Sequence, residues 1–299
     1  MPEVDAPILK APLPRGSRGA SVTMRPFVTG EMGAPRGYLH REDRTLNKVR
    51  SLRDGAVKKI ETWVPCPIFL LEHPTAGRVL IDTGLPAAIA HDPKAALGRF
   101  AAQLFAVRAE ESQPLPARLR ELSIERGEID VVVMTHLHFD HAGGLADLFD
   151  ATVIVSKDEW RSAHKPKGLA RGYLKRQFDQ AHDYRLVDYE ATSINSFASF
   201  GRSFDLFGDG SIVLVSTPGH TSGHQSVVVR LKDREALLCG DAVYTRRALD
   251  RGDEPMIMAD EHNYRRSVRE MRAYAQMTPS ALVVPGHDPE LIESLDSEY

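Results

Sequence analysis

The sequence is poor in cysteine, and it has no long apolar run and no large excess of charge of either sign. Its two cysteines among 299 residues, Cys66 and Cys239, lie far apart in apolar runs and form no Cys-x-x-Cys pattern. This argues against a disulfide framework, and we expect both to be small buried apolar residues. No segment approaches the roughly 20 apolar residues of a membrane span, and residues 1–20 lack the apolar centre of a signal peptide. We therefore expect a cytoplasmic protein.

The balance of charge argues against further classes of function. The chain has 38 Lys and Arg against 41 Asp and Glu, a formal net charge of -3, and its short basic pairs are separated by acidic residues. A protein that binds nucleic acid or a membrane surface usually carries a concentrated basic face, so neither is an expected partner. With 42% hydrophobic residues, the chain can bury a sizeable core, as globular proteins do.

Short apolar runs separated by turn residues predict the strands of the fold. Residues 68–71 and 79–81 flank the turn-like segment 74–77, which predicts a β-hairpin. Strands mixed with helices favour an α/β sandwich over an all-β or all-helical fold. The other predicted strands are residues 131–134, 152–155, 212–216, 226–231, 236–238 and 282–284.

Two stretches have apolar residues at helical spacing. Residues 93–126 predict a mainly helical region, with Phe100 and Leu104 in a core stripe. Residues 263–276 predict a second helix, and Asp260 precedes it as the expected N-cap.

Composition divides the chain into an arm and one domain. Residues 1–20, with prolines, glycines and scattered charges, predict a flexible arm. Residues 21–299 are expected to form a single domain. Within it, residues 21–54 and 165–190 lack clean periodicity, and we expect them to shape a binding pocket or a dimer contact.

The segment from His136 to His141, with the sequence HLHFDH, holds four side chains of metal-binding type. It follows an apolar run, which predicts a buried strand that delivers these side chains to the edge of a sheet. His136 and His138 are two residues apart on an extended segment, so they point to the same side and can hold one ion. Asp140 and His141 follow the strand and can turn toward a second ion. Imidazole and carboxylate suit zinc and other borderline divalent cations.

Three more ligand-type residues follow strands in the same way. His220, Asp241 and His287 each come after an apolar run and a glycine. A glycine lets the backbone turn tightly at the sheet edge because it has no β-carbon. Together with the four residues of the first motif they make a coherent set of seven ligands.

These motifs resemble those of metallo-β-lactamase-fold hydrolases over roughly residues 60–290. The resemblance is carried by DTG from Asp82, THLHFDHAGG from Thr135, TPGHT from Thr217, and the glycine-ligand pairs at 240–241 and 286–287. It implies a four-layer αβ/βα sandwich with two divalent metal ions at one edge. Zinc is the expected metal, and iron, manganese and cobalt accept the same ligands. The implied ligands are His136, His138 and His220 for one ion, Asp140, His141 and His287 for the other, and Asp241 as the bridge.

Within that superfamily, the sequence resembles the quorum-quenching N-acyl-homoserine lactone lactonases most. The segments HFDHAGG from His138, TPGHTSGHQS from Thr217 and DAVY from Asp241 carry this resemblance. It implies a small lactone as the substrate and the Tyr244 phenol as a substrate contact.

The expected reaction is hydrolytic opening of the lactone ring. Two ions that hold a bridging water lower its pKa toward neutrality and so supply hydroxide to attack the carbonyl carbon. We expect Tyr244 to stabilise the oxyanion and Asp140 to shuttle the proton. The alternatives are a hydrolase of the same fold for other lactones, aryl or phosphate esters or thioesters, and a metal-binding module without turnover. A homodimer is an alternative to the monomer.

Two further polar residues have open interpretations. Asp82 either orients a ligand imidazole or forms a turn before Thr83-Gly84. His224, four residues after His220, is expected to be a structural histidine because the ligand set is already complete.

Overall fold

Two β-sheets packed face to face organise the part of the chain that the computed structural model describes, residues 6–35, 37–41, 60–180 and 182–299. The first sheet has the order β4-β1-β2-β3-β5-β6-β7, and the second has the order β13-β12-β11-β10-β9-β8. The strands of the first sheet are β1 (Thr23–Pro35), β2 (Ile60–His73), β3 (Gly77–Ile81), β4 (Val107–Arg108), β5 (Val131–Val133), β6 (Thr152–Ser156) and β7 (Asp183–Val187). Those of the second are β8 (Asn195–Phe197), β9 (Phe200–Asp205), β10 (Ile212–Ser216), β11 (Gln225–Arg230), β12 (Glu235–Gly240) and β13 (Leu282–Pro285).

Helices cover the outer face of each sheet. Leu119 and Trp160 pack with strand residues on the first sheet, while Leu249 and Met271 pack on the second. The α-helices among the described residues are α1 (Pro93–Leu97), α2 (Ala101–Leu104), α3 (Leu115–Glu121), α4 (Lys157–His164), α5 (Lys175–Phe178), α6 (Arg246–Arg251), α7 (Glu261–Met277) and α8 (Pro289–Glu293). Short 3-10 turns occupy Ala87–Ala90, Arg126–Glu128, Leu145–Asp147 and Gly168–Arg171.

The main core lies between the two sheets. Leu71 and Val133 from the first sheet meet Leu214, Val227 and Leu238 from the second, and all of them are buried. Because apolar side chains line both faces of each sheet, the strand sequences are nearly continuous runs of hydrophobic residues. Helix, sheet, sheet and helix therefore stack as the predicted four-layer αβ/βα sandwich.

Strand direction brings several carboxyl ends to one edge of the sandwich. β3, β5, β6 and β7 are mutually parallel in the first sheet. In the second sheet β12 and β13 are parallel, and β10 runs the same way because both β10 and β12 are antiparallel to β11. Residues that follow these strands can therefore meet at one place.

The predicted hairpin and the predicted second helix are confirmed. β2 and β3 pair antiparallel with His73 opposite Gly77. The second helix is α7, and the Asp260 side chain accepts a hydrogen bond from the Asn263 N–H as its N-cap.

Two expectations about local structure are wrong. Residues 93–126 form three short helices and a strand because Gly98, in the left-handed region at φ 79, ends α1. Phe100 and Leu104 are 74% and 53% exposed, so they form no core stripe. The irregular segment at 21–54 also begins with a regular element, the long strand β1, and its residues 42–54 lie outside the described residues.

The described part of the predicted arm runs along the body of the protein. The Leu9 N–H donates to the Leu186 carbonyl at 2.8 Å, and the Leu13 N–H donates to the Leu206 carbonyl at 2.7 Å. Residues 1–5 lie outside the described residues. Of the helices in the described ranges, none has the length and apolar character to cross a bilayer.

The sheet-to-sheet core predicts a large difference between two leucine substitutions. We expect Leu214→Ala to lower the free energy of unfolding by about 2–5 kcal/mol, because Leu214 is fully buried between the sheets. Leu104→Ala, at a half-exposed position, is the matched control and should change it by about 0.5 kcal/mol or less. Urea unfolding of both variants measures the two values, and equal losses would contradict this account of the core.

Candidate metal centre

All seven predicted ligands converge at the edge where the carboxyl ends of the strands meet. His136 to His141 follow β5, while His220, Asp241 and His287 follow β10, β12 and β13. The glycine before His220 is required by space and by conformation. Gly219 has φ 143, and a β-carbon there would lie 2.3 Å from the Tyr264 backbone.

Three histidines form one group of potential ligand atoms, the three-histidine subsite of His136, His138 and His220. The Nε2 of His220 lies 2.9 Å from the Nδ1 of His138. The Oδ2 of Asp241 lies 3.3 Å from the Nε2 of His220 and 3.7 Å from that of His136. These atoms lie close enough together to hold one metal ion.

A second group, the carboxylate subsite of Asp140, His141 and His287, lies on the other side of Asp241. The Oδ1 of Asp241 lies 3.2 Å from the Nε2 of His141 and 3.1 Å from that of His287. The Oδ2 of Asp140 lies 3.8 Å and 3.6 Å from the same two nitrogens. Asp241 thus presents one carboxylate oxygen to each subsite.

Several buried polar atoms at the centre have no hydrogen-bond partner, as expected of atoms that coordinate cations. The Nε2 atoms of His136, His141 and His287 and the Oδ1 of Asp241 are buried and make no hydrogen bond within the described residues. Leaving buried polar atoms without partners is costly, and one cation in each subsite would satisfy all four. Imidazole and carboxylate are also donors that zinc prefers.

The outward-facing ring nitrogens are held by hydrogen bonds. The Nδ1 of His141 donates to the Oδ2 of Asp82 at 2.8 Å, and the Nδ1 of His287 donates to the Pro65 carbonyl at 2.7 Å. Asp82 also accepts from the N–H and the hydroxyl of Thr135, each at 2.7 Å. Of its two open interpretations, the geometry favours orientation of a ligand imidazole, which fixes the ring and its tautomer.

His224 supports the centre without facing it. Its Nε2 accepts from the Asp241 N–H at 3.0 Å, and its Nδ1 lies 2.9 Å from the Thr217 hydroxyl. A histidine in this role fixes the backbone that carries Asp241. The expectation of a structural histidine therefore agrees with its contacts.

Burial keeps the imidazoles of the three-histidine subsite neutral. It lowers the pKa of His136 and of His220 well below the usual value and lowers that of His138 to about 3. Burial alone would raise the pKa of Asp241, but His287 and His141 hold it well below the usual range. Neutral imidazole and ionised carboxylate are the forms that bind a metal ion.

The predicted substrate contact Tyr244 lies at the same edge. Its phenol is buried, with the hydroxyl 3.1 Å from the Nδ1 of His220. The ring stacks on Tyr38, with centroids 5.4 Å apart and an angle of 9° between the planes. No local sequence pattern identifies Tyr38, because it follows β1 in a segment without periodic spacing.

Cys66 is a second residue that the sequence did not connect with the centre. It is buried, as expected, but its sulfur lies within 4.8 Å of potential ligand atoms of Asp140 and His287. Burial and the nearby Asp140 raise its pKa well above the usual value, so the thiol is protonated in the metal-free protein. Pro65-Cys66-Pro67 resembles the lactonase sequences, but a single cysteine in an apolar run carries no spacing pattern that would place it at a metal centre.

The insert at 165–190 borders a cleft of about 590 Å³, which residues 97–101 line from the other side. Tyr173 belongs to its lining, and the Tyr173 ring lies 4.8 Å from the His138 ring. The insert therefore shapes a cavity next to the three-histidine subsite.

Comparison with known proteins agrees with this geometry. Residues 62–287 match the family model described as Metallo-beta-lactamase superfamily. The chain is 34% identical over 249 residues to the N-acyl homoserine lactonase AttM of Azorhizobium caulinodans, covering 81% of this chain and 89% of the relative. AttM of Agrobacterium fabrum is 32% identical over 249 residues, with the same coverage.

A solved structure shares the fold at lower identity. It is an N-acyl homoserine lactone hydrolase with the product N-hexanoyl-L-homoserine bound at its catalytic metal centre. The two chains superimpose with a TM-score of 0.73 at 19% identity, covering 95% of this chain and 98% of that one.

The Asp82 contact predicts the effect of one substitution on metal affinity. Asp82→Asn places a donor where His141 and Thr135 need an acceptor, so we expect zinc affinity to fall about 10–100-fold. Asp209→Asn is the matched control, since Asp209 lies 3.0 Å from the Nε2 of buried His73 at the end of β2, at the opposite sheet edge. Asp209→Asn should lower the free energy of unfolding and leave zinc affinity unchanged. Chelator competition measures both, and equal losses of affinity would contradict the orienting role.

Proposed function

Because this chain belongs to the metallo-β-lactamase superfamily, we propose that it is a metal-dependent hydrolase that opens the ring of N-acyl-homoserine lactones. The observation that carries the proposal is the position of Asp241, with one oxygen facing each of two subsites. The curated relatives named as N-acyl homoserine lactonases support the choice of substrate.

We propose that the centre holds two divalent ions and that these are zinc. His136, His138 and His220 would hold one ion, Asp140, His141 and His287 the other, and Asp241 both. When bound, such ions lower the pKa of a water molecule toward neutrality and polarise a carbonyl group. The protein supplies the rest of the chemistry through two side chains, Asp140 and Tyr244.

Asp140 is the proposed proton carrier. Its carboxylate is buried at the carboxylate subsite, 3.6 Å from the Nε2 of His287. A carboxylate in this position accepts the proton of the attacking water and returns it to the ring oxygen when the ring C–O bond breaks. The product is then the ring-opened hydroxy acid, and no proton is gained or lost at Asp140 over the cycle.

Tyr244 is the proposed donor to the carbonyl oxygen. Burial, together with Tyr38 and Asp241, raises the pKa of Tyr244 well above its usual value, so the phenol keeps its proton. A fixed donor of this kind stabilises the negative charge that develops on the carbonyl oxygen. It also lies beside His220, which places it at the three-histidine subsite.

The alternative substrates are other lactones, aryl or phosphate esters and thioesters, and the non-catalytic alternative is a metal-binding module. Tyr244 and the Gly223-His224-Gln225 segment favour a lactonase over a thioesterase. We further propose that residues 21–299 form one hydrolase domain. The cytoplasmic location and the homodimer stay predictions of the sequence.

Removing the phenol hydroxyl tests the role of Tyr244. We expect Tyr244→Phe to lower kcat on an N-acyl-homoserine lactone by roughly 100-fold, with two ions per chain still bound. Tyr264→Phe is the matched control, because the buried Tyr264 hydroxyl makes no hydrogen bond within the described residues. Steady-state kinetics and metal analysis of both variants give the answer, and a Tyr244→Phe protein with unchanged kcat and KM would exclude this role.

A substrate panel tests the reaction itself. Homoserine lactones of several acyl lengths are compared with simple lactones, aryl esters and a glutathione thioester, on one metal-analysed sample. The largest kcat/KM is expected on a homoserine lactone, and ring opening releases one acid equivalent per turnover. Preference for an ester or the thioester would replace the proposed substrate, and absence of turnover on every compound would favour the metal-binding module.

A further inference from the structure

Glu159 is a buried carboxylate that the proposed reaction does not use. It lies in α4 with none of its surface exposed. Its Oε1 accepts two hydrogen bonds, from the Leu137 N–H at 3.0 Å and from the Tyr173 hydroxyl at 3.0 Å. A glutamate is rarely buried without a reason that offsets the cost.

The loop after β10 packs against the start of α4, beside the same residue. A β-carbon on Gly223 would lie 1.9 Å from the Glu159 nitrogen and 2.5 Å from the Ser156 hydroxyl oxygen. Because this contact is so close, the loop can adopt only one position relative to α4.

These contacts reach every ligand of the three-histidine subsite. Leu137 lies between His136 and His138 in the sequence, and Gly223, which packs on the Glu159 backbone, lies three residues after His220. Tyr173 packs its ring 4.8 Å from that of His138 and is paired with it by an isolated β-bridge. The Glu159 carboxylate thus holds the segment of His136 and His138, and the Glu159 backbone packs on the loop after His220.

The carboxylate subsite has different supports. Its His141 is oriented by Asp82 and its His287 by the Pro65 carbonyl. Glu159 makes none of these contacts in the described structure. Asp82 also accepts from the Thr135 hydroxyl, which lies 3.1 Å from the Nδ1 of His136. The contacts of Asp82 therefore reach both subsites, whereas the hydrogen bonds of Glu159 lead to the three-histidine subsite.

We propose that Glu159 is the positioning residue of the three-histidine subsite, holding the His136–His138 segment through its carboxylate and the loop after His220 through the packing of α4, so that its loss weakens this subsite more than the other. A carboxylate oxygen can accept more than one hydrogen bond. The Leu137 N–H and the Tyr173 hydroxyl both donate to Oε1, so removal of the carboxylate leaves two donors without their acceptor.

Glu159→Met tests the proposal because it keeps the length of the side chain and removes both carboxylate oxygens. Zinc binding is measured by chelator competition, and the occupancy of each subsite is read from anomalous diffraction at the zinc edge. We expect one of the two ions to bind about 10–100-fold more weakly, with the larger loss of occupancy at the three-histidine subsite. Asp82→Asn should lower the occupancy of both subsites, because its contacts reach both.

Two further variants make the result decisive. Glu235→Met is the matched control, since Glu235 accepts from the Tyr274 hydroxyl at 2.5 Å at the start of β12, away from the centre. It should leave both occupancies unchanged. Tyr173→Phe removes one donor to Glu159 and should weaken the same ion by about tenfold, which covers the case in which Glu159→Met does not fold. Equal loss at both subsites, or unchanged zinc binding, would overturn the proposal.

The inference rests on the proposed dinuclear centre and not on the proposed substrate. Zinc occupancy is read without any lactone present, so failure of the substrate panel leaves the result for Glu159 intact. Conversely, equal zinc loss at both subsites in Glu159→Met would overturn the positioning role of Glu159, while the reaction of the unaltered protein would still be decided by the substrate panel.

Discussion

The carboxylate of Asp241 is buried among the imidazoles of four histidines, and the other groups of the centre must compensate its negative charge. A buried anion needs compensating positive charge. In the metal-free protein that compensation comes from the carboxylate subsite: burial would lower the pKa of His141, but Asp241, Asp82 and Asp140 raise it well above its usual value. Bound cations would take over this compensation from the proton, so metal binding is coupled to proton release.

The fold brings the groups of the centre together by placing them directly after strands and not on long loops. The proposed ligands follow β5, β10, β12 and β13, whose carboxyl ends share one edge of the sandwich. Each ligand backbone therefore starts from a buried, hydrogen-bonded strand, which limits its freedom before any ion arrives. The residues behind the ligands complete the arrangement: Asp82, His224 and Glu159 each hold a different ligand segment through short hydrogen bonds.

The sequence could identify the seven candidate ligands, which the fold brings together, because side chains of metal-binding type are visible locally. A run of apolar residues, a glycine and then a histidine or aspartate identified His220, Asp241 and His287 without any knowledge of the fold. The supporting residues were harder to find. Glu159 stands in the charged segment KDEW, which is typical of an exposed helix start, and its burial depends on Tyr173 and Gly223 from distant parts of the chain.

The wrong expectations for β1 and for residues 93–126 have the same kind of cause. β1 contains Pro26, Gly30 and Gly33, residues that weaken a strand pattern, and it is stabilised by its long antiparallel pairing with β2. The region after residue 93 has apolar residues at helical spacing, yet Gly98 ends the first helix after five residues. Local spacing could not reveal either tertiary pairing or a backbone reversal.

The segment that runs beside β7 has a consequence for how copies of this protein meet. β7 is the last strand of the first sheet, and an uncovered edge strand offers free N–H and carbonyl groups to any other chain. Leu186 of β7 instead exchanges backbone hydrogen bonds with Pro7 and Leu9, and Ile8 pairs with it as a short parallel bridge. These few residues cover the edge strand and so oppose edge-to-edge aggregation. A chain shortened past Leu9 would expose the edge of β7 to other molecules in a concentrated solution.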